Sequence, residues 1–235
     1  MPVAVTSLKA PSERAALREV VRLFERRLAT TGFGRFARVA SVGITAGTVA
    51  SIVAMRAAEG ASAPTVKLAV GAVRLSMWLV ACAVALAASK QRAIADRRDG
   101  IEMLALARGF DGSRLTMARS LAAGAFALRW MLLPAIVGGL GSALSAGSLK
   151  VVGARLLVTL SCVVFAAVAA VVLGPLGAVA DAFAPNRGRS LLLAVLLLSG
   201  LASEIAADPA VSITGALLTV LNGLLYAVGA GRLIG

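Results

Sequence analysis

The chain has no histidine, two cysteines and few aromatic residues, with Phe, Trp and Tyr together making 4% of 235 residues. Without histidine it lacks the commonest general base near neutral pH and the commonest metal ligand. Cys82 and Cys162 stand far apart in separate apolar runs, so no metal-site spacing exists and both read as small buried hydrophobes. Acidic residues are also scarce, 11 against 24 Lys and Arg, for a net charge of +13. No aspartates paired across spans and no serine–lysine dyad at helical spacing are present, which leaves an intramembrane enzyme without a nucleophile and base. The chain therefore reads as non-catalytic, with no cofactor of its own. A basic balance of this size suits nucleic acid. Here, however, the cations gather between apolar runs, where Lys and Arg fix membrane orientation, and nucleic acid is set aside.

What is abundant is apolar surface. Hydrophobic residues make up 59% of the chain, and the mean hydropathy is +0.91. Both lie far outside the soluble range and point to an all-α integral membrane protein. A crossing needs about 20 apolar residues, so the length holds about six spans in one transmembrane domain, 1–235, with no room for a soluble domain. The first 38 residues carry eight basic side chains and no early apolar core, so no cleavable signal peptide is expected.

Along the chain, Leu17, Val20, Val21, Phe24 and Leu28 repeat at helical spacing over 12–31, against Arg14, Arg18, Arg22, Arg26 and Arg27 with interspersed glutamates. This predicts an amphipathic helix at the membrane surface, either an anchor to anionic lipid or a partner contact. Gly32 and Gly34 let the chain turn upward. A first span, 39–55, lines Gly43, Gly47 and Ser51 along one side, so that another helix can approach closely. The second, 68–88, carries Arg74, which either snorkels or lines a substrate path.

A third span, 121–140, follows helix caps at Asp111 and Ser113. It holds Pro134, expected to kink it, and Arg129 roughly 12 Å inside by helical rise. Arg129 should face the bundle or a wet cavity, for pairing or for substrate. Arg155 belongs with Lys150 to a small outer loop, and the fourth span, 156–179, should break near Gly174 and Pro175. The fifth starts at Ser190, is leucine-rich to Leu201 and carries Glu204. The sixth, 211–228, contains Asn222. With both termini inside, 18 of the 24 cations fall on the cytoplasmic side and 4 outside, the bias that sets orientation.

The long polar interruption is 89–119. Asp99 and Glu102 have capping-box spacing, Gly109 suits a left-handed stop and Arg108 lies in the last turn, which predicts a helix over 100–108. So short a helix does not hold alone in water. Ile101, Leu104 and Ala105 make one apolar side; Met103, Leu106 and Ala107 make a second. A helix apolar on two sides wants two partners, one its own membrane domain and the other a separate cytoplasmic subunit.

The segment 88–122, ASKQRAIADRRDGIEMLALARGFDGSRLTMARSLA, and the segment 173–200, LGPLGAVADAFAPNRGRSLLLAVLLLSG, resemble the type-2 ABC exporter permeases, and in size and pattern the haem-exporter B-like permeases. The resemblance implies that 89–119 is a coupling segment seated in a cytoplasmic ABC ATPase, which holds the ATP and Mg. It carries the coupling contact to Asp96, Asp99, Gly100, Glu102, Leu104 and Arg108, and makes the N-terminal helix an elbow with Val20, Phe24 and Leu28 on its buried side. A second permease copy or a related subunit would complete a substrate path, for which Arg74, Arg129, Glu204 and Asn222 are candidates. Two departures stand out. The outer part between spans five and six is short, and the fifth span has plain leucines where the haem branch has proline. The lack of histidine also removes an axial haem ligand. The sequences ALARGF and MARS are similar to the coupling motifs of the T component of energy-coupling-factor importers, although here they fall close together. A membrane scaffold or assembly factor is the non-transporting alternative.

Overall fold

The computed structural model describes residues 13–60, 64–89, 98–107, 109–184, 187–206, 208 and 212–230. Among them every regular element is helical. Helix α1 is Glu13–Thr30, α2 is Gly32–Glu59 and α3 is Thr65–Ser76. A π-helical turn, Met77–Ala81, joins α3 to α4, Cys82–Ala88. Then come α5, Ile101–Ala107; α6, Gly112–Leu144; α7, Leu149–Phe183; α8, Gly188–Ala206; and α9, Ile213–Ala227. Four helices are long and apolar enough to cross a membrane: α2, the continuous Thr65–Ala88, α6 and α7. The shorter apolar helices Gly188–Ser199 and Ile213–Ala227 follow. This is the helical composition expected of a membrane protein, with apolar side chains also left bare on the outside, such as Val39, Val53, Leu160 and Leu197.

The long hairpin α6–α7 is the centre on which the other helices pack. Its core holds Phe165, Met131 and Leu173, with Met77, Val73, Val80 and Val84 from the second span and Leu221 and Leu225 from α9. Small residues let the backbones meet. A Cβ on Gly174 would lie 2.8 Å from Gly124 Cα, and one on Gly139 would lie within 2.4 Å of the Thr159 side chain.

The expected break at Gly174 and Pro175 does not occur, because α7 runs unbroken to Phe183. Proline normally expels the preceding residue from the helical region by clashing with its Cβ. Here that residue is glycine, which has no Cβ to clash, and the Pro175 ring packs beside Gly124 at ordinary contact distance. Pro134 sits inside α6, which is helical on both sides of it.

The N-terminal helix forms with the expected faces, yet its apolar side is covered by protein. Val20, Phe24 and Leu28 are buried, and α1 lies along α6, where Arg119 stacks over the Phe24 ring at 5.5 Å. Arg14, Arg18, Arg22 and Arg26 remain exposed at four-residue steps, the stripe that anionic lipid would meet. The turn into α2 is fixed by Thr31, whose hydroxyl accepts from Gly34 N at 2.8 Å, and by Arg38, which donates to Ala29 O at 2.7 Å. Of the two glycines expected there, only Gly34 is required by space: a Cβ would fall 1.9 Å from Leu28 O, while Gly32 is open.

Candidate functional site

The polar interruption contains the short helix where the capping and stop residues place it, within one residue at each end. Gly109 takes a φ of 78° and its N–H returns to Leu106 O at 2.9 Å, the left-handed stop read from the sequence. The Glu102 half of the expected capping box lies outside the described residues; Gly100 has a positive φ, 72°, so the helix starts after it, and the Asp99 carboxylate accepts from Arg27 of α1. That ion pair ties the interruption to the basic helix. Phe110, buried in the core just beyond the stop, pins the other end.

The two apolar sides of α5 meet different fates. Ile101 packs against the core, while Met103 is 70% exposed, Leu106 52% exposed, and Ala107 is exposed with them. Of the other residues carried over by resemblance, Asp96 and Arg108 lie outside the described residues, as do the side chains of Glu102 and Leu104.

Immediately after α5, Asp111 caps α6 as the sequence anticipates. Its side chain accepts from Arg114 N at 2.8 Å and from the Ser113 hydroxyl at 2.8 Å. The backbone bond first, then the hydroxyl, hold its carboxyl below the ordinary value. A depressed carboxyl contributes stability above its unfolded pKa of about 4, and loses it as pH falls through the lower folded value. Amide exchange at Arg114 is accordingly expected to lose protection on acidification below about pH 4 in the wild type. Asp111→Asn, which still caps, should flatten that dependence; an unchanged profile would remove the linkage.

The four path candidates separate. Arg74 Nη2 donates to Asn222 Oδ1 at 2.8 Å, across 148 residues of sequence. Each residue lies nine positions into its helix, about 13 Å by helical rise, so α3 and α9 place them at one depth. Arg74 Nε is buried and has no hydrogen-bond partner among the described residues. A charged group whose acceptor is removed in such a place costs about 2 kcal/mol, whereas removing both partners is close to neutral. Asn222→Leu should therefore destabilise the detergent-solubilised protein by about 2 kcal/mol, and Arg74→Met with Asn222→Leu should recover most of it. Additive losses in that double-mutant cycle would show that the bond contributes nothing.

Arg129 does not face the bundle interior. It is 65% exposed and lies 3.6 Å from Glu25 of α1, beside a cleft of about 280 Å3 that Arg22 and Arg26 also line. Arg129 lies near the middle of the 33-residue α6, on the side along which α1 runs and presents Glu25 to it. Glu204 is carried by α8, and its side chain lies outside the described residues.

Among the described residues the most buried cation is one not singled out from the sequence. Arg155, assigned to an outer loop, is instead inside α7 and only 8% exposed. Its Nη1 donates to Ser142 O and Ser145 Oγ, both at 2.7 Å, and to Thr65 Oγ1 at 3.0 Å. Arg56 of α2 donates to Leu144 O at 2.8 Å in the same turn. The two guanidiniums thus meet the carbonyl end of α6, where the dipole favours cations by up to about 2 kcal/mol. Burying a charge costs several kcal/mol, so the dipole offsets only part of it.

The side of α2 expected to receive another helix is open. Gly43, Gly47 and Ser51 line an apolar groove of about 530 Å3 with Gly71, Leu75 and Leu79 of the second span. Among the described residues no group of three or more His, Cys, Asp or Glu is placed to hold a metal ion. No protein-family model, curated protein or solved structure matches this chain.

Proposed function

We propose that this chain is the transmembrane permease subunit of an ABC-type exporter, moving a hydrophobic or amphipathic substrate at the expense of ATP hydrolysed on a separate subunit. The observation that carries the reading is α5, a seven-residue helix fastened by Ile101, Phe110 and the Arg27–Asp99 pair, with Met103 and Leu106 left bare. A helix this short has no stability to spare for exposed apolar side chains unless they serve a contact. The partner that fits is a cytoplasmic ABC ATPase with an apolar cleft. Its closure on ATP and Mg would move α5 and, through Arg27–Asp99, the basic helix α1, tilting the spans as a rigid-body switch.

In this reading α8 and α9 complete six crossings, both termini are cytoplasmic in the inner membrane, and α1 is the elbow. Arg74 and Asn222 form a hydrogen-bonded polar pair at span depth, with Asn222 exposed. Such a pair is expensive against lipid and suits a path shared with a second permease copy. The decisive experiment is affinity purification of the tagged chain from its native membranes, followed by mass spectrometry. An ABC ATPase with a Walker A motif in stoichiometric amount is the expected result. A vitamin-binding membrane subunit in the complex would indicate an importer component, and recovery without any nucleotide-binding protein would indicate a scaffold.

A further inference from the structure

We infer that the end of the bundle where α2 turns into α3 and α6 into α7 holds an oxyanion site of the phosphate class, built on Arg155 and Arg56. The inference is independent of the ATPase reading and concerns the opposite end of the molecule from α5.

Arg155 is more than nine-tenths buried, and all its described hydrogen bonds leave from one nitrogen, Nη1. Among the described residues nothing accepts from its Nε or Nη2, and no carboxylate pairs with it. These two nitrogens form the edge of the guanidinium that matches two oxygens of a phosphate or carboxylate side by side. Arg56 repeats the arrangement, with Nη1 fixed on Leu144 O and its other donors uncommitted among the described residues. Two like charges share one helical turn, so each raises the cost of the other and an anion between them relieves both.

The surroundings are already organised. Thr65, Ser142 and Ser145 are buried and bonded to one another, with Thr65 Oγ1 2.9 Å from Ser145 Oγ, and Ser145 donates to Ser142 O at 2.7 Å. The network holds Arg155 in place before any ligand arrives, which lowers the ordering cost of binding. Carbonyl capping of α6 explains why cations gather here. It uses one nitrogen of each arginine and leaves the rest for a ligand. In the orientation set by the charge bias this is the outer end of the bundle, at the level of lipid phosphates, so the anion is either the headgroup of an anionic phospholipid or free phosphate.

The test uses the full-length protein purified in a non-ionic detergent. One arm titrates phosphatidylglycerol or phosphatidylcholine and counts retained lipid by native mass spectrometry; the other titrates inorganic phosphate and reads the melting temperature. Arg18→Gln with Arg22→Gln is the background, so that the stripe on α1 does not mask the result. At least tenfold preference for phosphatidylglycerol, reduced severalfold by Arg56→Gln, assigns the site to a lipid headgroup. Stabilisation by inorganic phosphate that Arg56→Gln abolishes, without lipid preference, assigns it to the free anion. Arg56 is at the surface and its substitution leaves the buried network intact, so the variant should fold. Arg155→Gln should remove whichever response is seen. Flat titrations in both arms, or responses that Arg56→Gln leaves unchanged, would mean that the two arginines only cap α6.

Discussion

Changing Met103 and Leu106 together to aspartate should, under the proposed function, abolish coupling to the partner ATPase, with at least a tenfold loss of transport-linked ATP hydrolysis in the purified complex. Both side chains point away from the core, so the membrane domain itself should be unaffected. Seating two apolar side chains of this size in a cleft contributes roughly 3 kcal/mol or more, about a hundredfold in affinity, before the cost of placing two carboxylates there. Gel filtration should therefore show the proposed ATPase partner dissociated while this chain retains its melting temperature. Exchange of Ile101 for aspartate would confuse the result, because that residue packs on the core and its loss would loosen the helix itself. Full hydrolysis and intact complex in the double variant would remove α5 from the mechanism.

The largest effect on stability is expected at Gly177. A Cβ there would fall 1.8 Å from Ala85 O and 2.7 Å from Ala85 C, both backbone atoms of α4 that no rotamer change can move. Gly177→Val must push α4 away from α7, at a cost of about 3 kcal/mol, enough to unfold much of a marginally stable membrane protein. Gly223→Ala is the control, since nothing lies within 4 Å of its Cβ position and alanine favours a helix. The unfolding free energy in mixed detergent should fall for the first and hold or rise for the second. Equal effects would mean that α4 and α7 are not in backbone contact.

The short helix shows where sequence reading succeeds and where it stops. Gly109 and Asp111 act through atoms three or four residues away, and both do what their chemistry predicts. The carboxylate of Asp99 also finds Arg27, 72 residues earlier, a partner that no local window contains. The same limit explains Arg155. Its neighbours suggested a loop, and its acceptors come from Ser142, Ser145 and the distant Thr65. Hydropathy places Arg129 well inside an apolar run, and its partner is Glu25 on α1, more than 100 residues earlier and outside any local window.

The sequence by itself determined the apolar, all-helical class of the molecule, the existence of most of the described helices and the buried side of α1, because hydropathy and capping depend on residues within about two turns. Only the tertiary structure decided which arginines are covered, which are paired and which glycines are indispensable. Those outcomes depend on what another helix brings within 3 Å, as Ala85 does for Gly177 and Asn222 for Arg74. Packing in a membrane bundle is set by the fit of small residues and polar partners between distant segments, and hydrophobic periodicity carries no record of it.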